Sequence, residues 1–175
     1  MSQANITITR AEPNDVTELN ALVNSAYRGE SSKQGWTTEA DLLGGQRTDE
    51  DMLQDMISPS NATMLKAVSK NKIVGCVYLR QDHDRLYLGM LTVQPTLQST
   101  GIGKQLLKAA EQQARDASCR AVYMTVITVR TELIEWYLRN GYTRTDERQP
   151  FKVGDPRYGI PKQPIEFVVL EKEIR

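Results

Sequence analysis

Gln98-Ser99-Thr100-Gly101-Ile102-Gly103-Lys104 joins two segments of different periodicity. Before it, Arg85-Leu86-Tyr87-Leu88-Gly89-Met90-Leu91-Thr92-Val93 is rich in apolar, aromatic and β-branched residues and is closed by Pro95, which cannot donate to a sheet ladder. That predicts a mostly buried strand. After it, Ile102, Leu106, Leu107, Ala110, Ala114 and Ala117 recur at helical spacing, while Lys104, Lys108, Glu111 and Arg115 take the other side. That predicts an amphipathic helix. Between the two, a glycine pair lets the backbone approach a ligand closely. The first amides of a helix have no partner within it and carry the positive end of its dipole, so a phosphate fits there.

Two common phosphate-binding turns do not match. A nucleotide P-loop needs Gly five residues before its Gly-Lys and a hydroxyl just after, where this chain has Gln98 and Gln105. A dinucleotide fingerprint needs a small residue three after the second Gly, where Leu106 stands, and a βαβ unit that opens the chain. A third form, Gln/Arg-x-x-Gly-x-Gly/Ala after a strand ending Val-x-Pro, is matched by Val93-Gln94-Pro95 and by Gln98 to Gly103. With the later Tyr137-x-x-x-Gly141-Tyr142, this resembles the acyl-CoA-binding signature of the GNAT N-acetyltransferases. The resemblance covers roughly residues 73–142.

The resemblance implies one α/β (α+β) domain spanning 1–175, with a mixed, mostly antiparallel sheet flanked by helices and two strands splayed around acetyl-CoA. It implies transfer of acetyl from acetyl-CoA to a primary amine by direct attack in a ternary complex. The backbone edge of Leu91, Thr92 and Val93 would pair with the pantetheine arm as a strand does. An amide of Leu91 or Thr92 would polarise the thioester carbonyl, a contribution worth on the order of 3 kcal/mol of barrier. The turn Gln98, Ser99, Thr100, Gly101, Ile102, Gly103 and Lys104 would hold the cofactor, its amides from Ser99 on gripping the pyrophosphate. Tyr137 takes the place of the general acid for the departing thiolate. Two positions depart from the family: Arg130 stands where many members carry Asn, and the central strand offers no carboxylate as base. Glu39, Asp41, Glu135, Glu166 or a water chain are the candidates for that role.

The rest of the chain is read from its residues. A strand is expected over residues 6–11. Asp15-x-x-Glu18 has the form of a capping box, with Val16, Leu19, Leu22, Val23, Ala26 and Tyr27 on one helical face over 15–27. The irregular segment 28–47 holds Trp36, Thr37, Glu39 and Arg47, which the resemblance puts near the acceptor amine. Thr48-Asp49-Glu50-Asp51 repeats the cap pattern before a short helix ending at Pro59. Lys70-Asn71-Lys72 joins a hairpin of residues 63–68 and 73–79. His83, the single histidine, is expected in a solvated turn. Beyond the signature helix, residues 121–127 form a strand, and a helix carrying Leu133, Trp136 and Tyr137 ends at Gly141. Residues 142–146 form a short strand, and 148–164, with four prolines and two glycines, a long loop from which Phe151, Arg157 and Tyr158 could close over a substrate. A final strand occupies 165–171 and could offer a dimer edge.

Lys+Arg 22 against Asp+Glu 22 gives a net charge of +0, with no basic surplus for nucleic acid. The two cysteines lack metal-type spacing and are expected to be reduced core thiols of a cytoplasmic protein. No metal and no membrane are expected, and the acceptor is a small amine or a protein amine. A non-catalytic acyl-CoA-binding sensor or partner domain of the same fold is the alternative.

Overall fold

The computed structural model describes residues 5–28, 40, 43–44, 47–150, 160–162 and 165–174. Seven strands form one sheet: β1 (Thr7–Arg10), β3 (Ala62–Ser69), β4 (Lys72–Asp82), β5 (Arg85–Val93), β6 (Ala121–Ile127), β7 (Thr143–Pro150) and β9 (Glu166–Glu173). Their order across the sheet is β1-β3-β4-β5-β6-β9-β7. Every pairing is antiparallel except that of β5 with β6. β2 (Leu43–Gly44) and β8 (Ile160–Pro161) make a separate two-stranded ladder. Among the described residues, the α-helices are α1 (Val16–Tyr27), α2 (Glu50–Ile57), α3 (Ile102–Asp116) and α4 (Thr131–Arg139).

The two faces of the sheet carry separate cores. α1 and α2 bury Leu19, Val23, Tyr27 and Leu53 against Met64, Cys76 and Tyr78. α3 and α4 bury Leu106, Leu107, Ile134 and Tyr137 against Val77, Leu79 and Met124 on the opposite face. Because β4 is covered on both sides, Ile73 through Leu79 are all buried, which the unbroken apolar run of its sequence anticipates. Cys76 and Cys119 are both free and buried.

The hairpin turn falls on Lys70 (φ 51°) and Asn71 (φ 63°), the two left-handed residues that a tight turn between twisted strands requires. His83 sits in the next turn with its side chain 95 % exposed. Asp49 caps α2 by accepting the Met52 N–H at 2.7 Å.

Three expectations are corrected. Asp15 and Glu18 do not box the start of α1. A 3-10 turn at Pro13–Asp15 precedes it; Asp15 accepts the Glu12 N–H and the Lys66 ammonium, each at 2.8 Å. Glu18 accepts the Ile73 N–H at 2.9 Å. The box forms one turn earlier, between Glu12 and Asp15, while Lys66 and Ile73 of the sheet take the remaining capacity of the two carboxylates. Second, the strand after Gly141 reaches Pro150 instead of stopping at 146. β7 is polar throughout and lies at the sheet edge, where a proline needs no ladder partner, and a register shift between Arg144 and Arg148 breaks its alternation. Third, the final strand is no edge, since β9 has β6 on one side and β7 on the other.

Two features of β5 shape the site. Cys76 opposes Thr92 and Tyr78 opposes Gly89, so Val77 faces both Met90 and Leu91 across a bulge, and Met90 takes φ 53°. β5 pairs with β6 only over Arg85–Tyr87. Beyond that point β6 continues on β9 to Ile127, and the two parallel strands diverge. That is the splay the resemblance implies.

Candidate active site

Beyond the divergence the backbone of β5 alternates in a defined sense. Gln94 donates its N–H to Val74 O at 2.8 Å, which makes Gln94 and, two residues back, Thr92 the positions turned towards β4. Leu91 and Val93 therefore turn their backbone groups the other way, to the side β6 has left. Their carbonyls confirm it: the Tyr27 hydroxyl donates to Leu91 O, and Gln98 Nε2 donates to Val93 O at 3.2 Å.

Past Val93 a 3-10 turn at Pro95–Leu97 leads to Ser99 (φ 68°) and Gly101 (φ 93°). Gly101 is the N-cap of α3, and the first bond of the helix ladder runs from the Gln105 N–H to Gly101 O at 3.1 Å. The amides of Ile102, Gly103 and Lys104 precede that bond and so lie beyond the reach of any carbonyl within the helix.

A cleft of about 450 Å³ opens over this helix start. It is lined by Leu91, Val93, Gln98, Ser99, Gly101, Gly103 and Lys104 from the β5–α3 side, and by Leu133, Trp136, Tyr137 and Arg139 with Glu132 and Glu135 from α4. Three of the sequence-predicted cofactor residues point elsewhere. Thr92 is 1 % exposed and donates its hydroxyl to Met90 O at 2.8 Å. Ile102 is in the core, and the Thr100 hydroxyl donates to Leu97 O. Thr100 and Ile102 keep a place in the turn through their backbone alone.

A second cleft of about 440 Å³ lies on the other side of β5, between α1, α2 and the far end of β6. Leu91, Leu133 and Tyr137 line both clefts. Tyr137 thus stands in the wall where the two meet. Its ring packs edge-on against Trp136 (5.0 Å) and Tyr142 (5.8 Å). Burial pushes its pKa well above the ordinary 10.0, with the Tyr27 and Tyr87 phenols adding to the rise and the Arg130 guanidinium opposing it. At neutral pH Tyr137 is therefore a proton donor and not a base.

The second cleft receives Arg28, Arg47, Arg80 and Arg130. Arg47 lies over the Tyr27 ring at 5.7 Å and Arg80 over the Tyr87 ring at 4.8 Å. Arg130, the residue in place of the family Asn, is 8 % exposed and faces this second cleft instead of the helix start. Among the described residues that line it there is no carboxylate. Glu135 faces the first cleft, and Glu166 lines neither, lying 3.8 Å from Arg148. Trp36, Thr37, Glu39, Asp41, Phe151, Arg157 and Tyr158 lie outside the described residues.

Sequence reasoning missed Trp136, Arg28 and Arg80. Trp136 carries a signal, a large amphipathic ring next to Tyr137 on a short helix, and reads equally as core. Arg80 carries none, because only the covering of β4 by its neighbours decides where its side chain emerges.

The acetyltransferase (GNAT) domain matches residues 29–153, well over half of the chain, and the chain belongs to the GNAT family of acetyltransferases. No curated protein matches the sequence. Its fold is similar to that of a GNAT-family acetyltransferase from Staphylococcus aureus Mu50, with TM-score 0.68, 18% identity, and coverage of 98% of this chain and 100% of that one. It is also similar to the ribosomal-protein-S18-alanine N-acetyltransferase of Escherichia coli, with TM-score 0.71, 13% identity, and coverage of 97% and 94%. The PaiA N-acetyltransferase of Thermoplasma acidophilum, in complex with coenzyme A, gives TM-score 0.70, 18% identity, and coverage of 97% and 99%.

Proposed function

We propose that the chain acts as a single domain that transfers acetyl from acetyl-CoA directly to a primary amine, in the cytoplasm. The observation that carries this reading is the meeting of the two clefts at Leu91 and Tyr137. One cleft starts at helix amides suited to a phosphate, the other is closed by buried aromatic rings, and the phenol between them is held protonated. Acetyl-CoA supplies the activated thioester.

Each group of the chain then has a task. The amides of Ile102, Gly103 and Lys104, with the dipole of α3 behind them, grip a pyrophosphate. The N–H groups of Leu91 and Val93 serve the pantetheine arm, and that of Leu91, beside the junction, polarises the thioester carbonyl. The orientation of Leu91 suits that task better than that of Thr92, whose backbone faces β4. Tyr137 donates its proton to the leaving thiolate. No cysteine lines either cleft among the described residues, so the amine attacks without a covalent acetyl-enzyme.

A thermal melt with and without acetyl-CoA, followed by an amine screen read through free-thiol release, tests the reading. A ligand at a hundred times its Kd stabilises by about 2.7 kcal/mol. No shift at millimolar acetyl-CoA rejects it. A shift without transfer to any amine selects the second reading, a non-catalytic acyl-CoA sensor, which the absence of a carboxylate from the described lining of the second cleft favours.

A further inference from the structure

The chain carries a net charge of +0, while the described lining of its second cleft is basic. Arg28, Arg47, Arg80 and Arg130 all line it, and no described lining residue is acidic. The other polar groups around these guanidiniums include the phenols of Tyr27, Tyr78, Tyr87 and Tyr137. Asp82, two residues from Arg80 on β4, lines neither cleft; it accepts the Tyr123 hydroxyl at 2.6 Å and also feels the charge of Arg80, whose guanidinium hydrogen-bonds to the Tyr78 and Tyr123 phenols and keeps its remaining N–H donors for a ligand.

The two stacked arginines are held in a telling way. Arg47 rests over Tyr27 and Arg80 over Tyr87. A guanidinium stacked on a ring uses its face, and its N–H donors lie in the plane of the group, where they match the paired oxygens of a carboxylate or phosphate. Tyr27 also donates its hydroxyl to Leu91 O, so Arg47 packs on the same ring that fixes the acyl-transfer strand.

We propose that the acceptor is a small amine that also carries a carboxylate or phosphate group, held by Arg47 and Arg80, and not a polyamine or a lysine-rich peptide. The inference rests on the acetyltransferase reading and narrows it. A volume of about 440 Å³ suits a small molecule. The guanidiniums of Arg47 and Arg80 disfavour a second ammonium beside them and shift a bound amine towards its neutral, attacking form, which eases the demand for a general base.

The test measures thiol release from acetyl-CoA with α-amino acids, their matching amides, aminoethyl phosphate and putrescine, on the wild type and on Arg47→Gln and Arg80→Gln. The wild type should favour an acid over its amide by about tenfold or more in kcat/KM, mainly through KM. In each variant that ratio should fall towards one. Which anionic amine reacts tells carboxylate from phosphate. Equal or better use of amides or putrescine overturns the inference, as does an equal loss on every acceptor in both variants. So does a chain that binds acetyl-CoA but acetylates no anionic amine. Loss of the acetyl-CoA melt shift in the wild type would instead reject the acetyltransferase reading itself.

Discussion

The two signature glycines differ in kind, and paired substitutions separate backbone strain from ligand space. Gly101 holds φ 93°, with nothing within 4 Å of where a Cβ would stand. Gly101→Ala therefore costs only the left-handed strain of an L-residue, about 1–2 kcal/mol. For a chain of this length that lowers Tm by about 2–8 °C. Gly103 has no such φ, and its Cβ would meet Val93 Cγ2 and the Trp136 ring at 3.6 Å, ordinary contact distances. Gly103→Ala should leave Tm unchanged or raise it, since alanine gains up to about 1 kcal/mol over glycine in a helix. Gly103→Leu must extend past that Cβ into the first cleft, between Trp136 and Val93. It should fold and melt close to the wild type without ligand. With acetyl-CoA at a hundred times the wild-type Kd, the shift worth about 2.7 kcal/mol, roughly 5–11 °C, should vanish. Differential scanning calorimetry of the four proteins with and without acetyl-CoA reads all of this. A full shift in folded Gly103→Leu would refute the placement of the pyrophosphate at α3, and an unchanged Tm in Gly101→Ala would refute the strain argument.

Three further outcomes are expected. Tyr137→Phe should lower kcat by about a hundredfold while keeping the acetyl-CoA melt shift, measured by thiol release; an unchanged kcat would hand the acid role to water. Burial holds the Cys76 thiol up at about 12 against an ordinary 9.0, so only the unfolded chain ionises there between those values. Its contribution to stability is complete below pH 9 and is lost as the pH rises towards 12, on the order of 1 kcal/mol per unit. Denaturant titrations at several alkaline pH values should show that slope and its flattening in Cys76→Ala. Lys172 donates to Glu111 at 2.9 Å, while the Tyr142 hydroxyl donates to the other oxygen of that buried carboxylate at 3.2 Å. Lys172→Met should cost about 3 kcal/mol, the low end for breaking a buried pair because the lysine is partly exposed. Adding Glu111→Gln should recover part of that in urea unfolding.

Sequence periodicity reached β4, β5, α3 and α4 because each is an apolar pattern that depends only on neighbours along the chain. The same local logic read the Lys70-Asn71 turn and a capped start for the helix at Glu50, although the cap falls on Asp49, one residue after the Thr48 that opens the pattern. It misplaced the box at Asp15 and Glu18: Asp15 closes one with Glu12 a turn earlier and also holds Lys66, and Glu18 is claimed by the Ile73 N–H of the sheet. It also failed for β7, which, polar at the sheet edge, carries no alternation to read.

For the site, the chain alone marks a helix start whose unpaired amides suit a phosphate, since Gly101 and the residues that follow it are adjacent in sequence. Tyr137 stood out only through the resemblance of Tyr137-x-x-x-Gly141 to the family motif, since its helical spacing by itself reads as core. The chain alone could not choose between the amides of Leu91 and Thr92, because that choice is a matter of register. The bond from Gln94 to Val74 and the bulge opposite Val77 turn those two amides to opposite sides of β5, and both need β4 in place. Nor could it gather Arg28, Arg47, Arg80 and Arg130, which are far apart in the chain and come from different elements. Local backbone preference writes a helix start into consecutive residues. A cleft between elements exists only once tertiary packing has brought their side chains to one place.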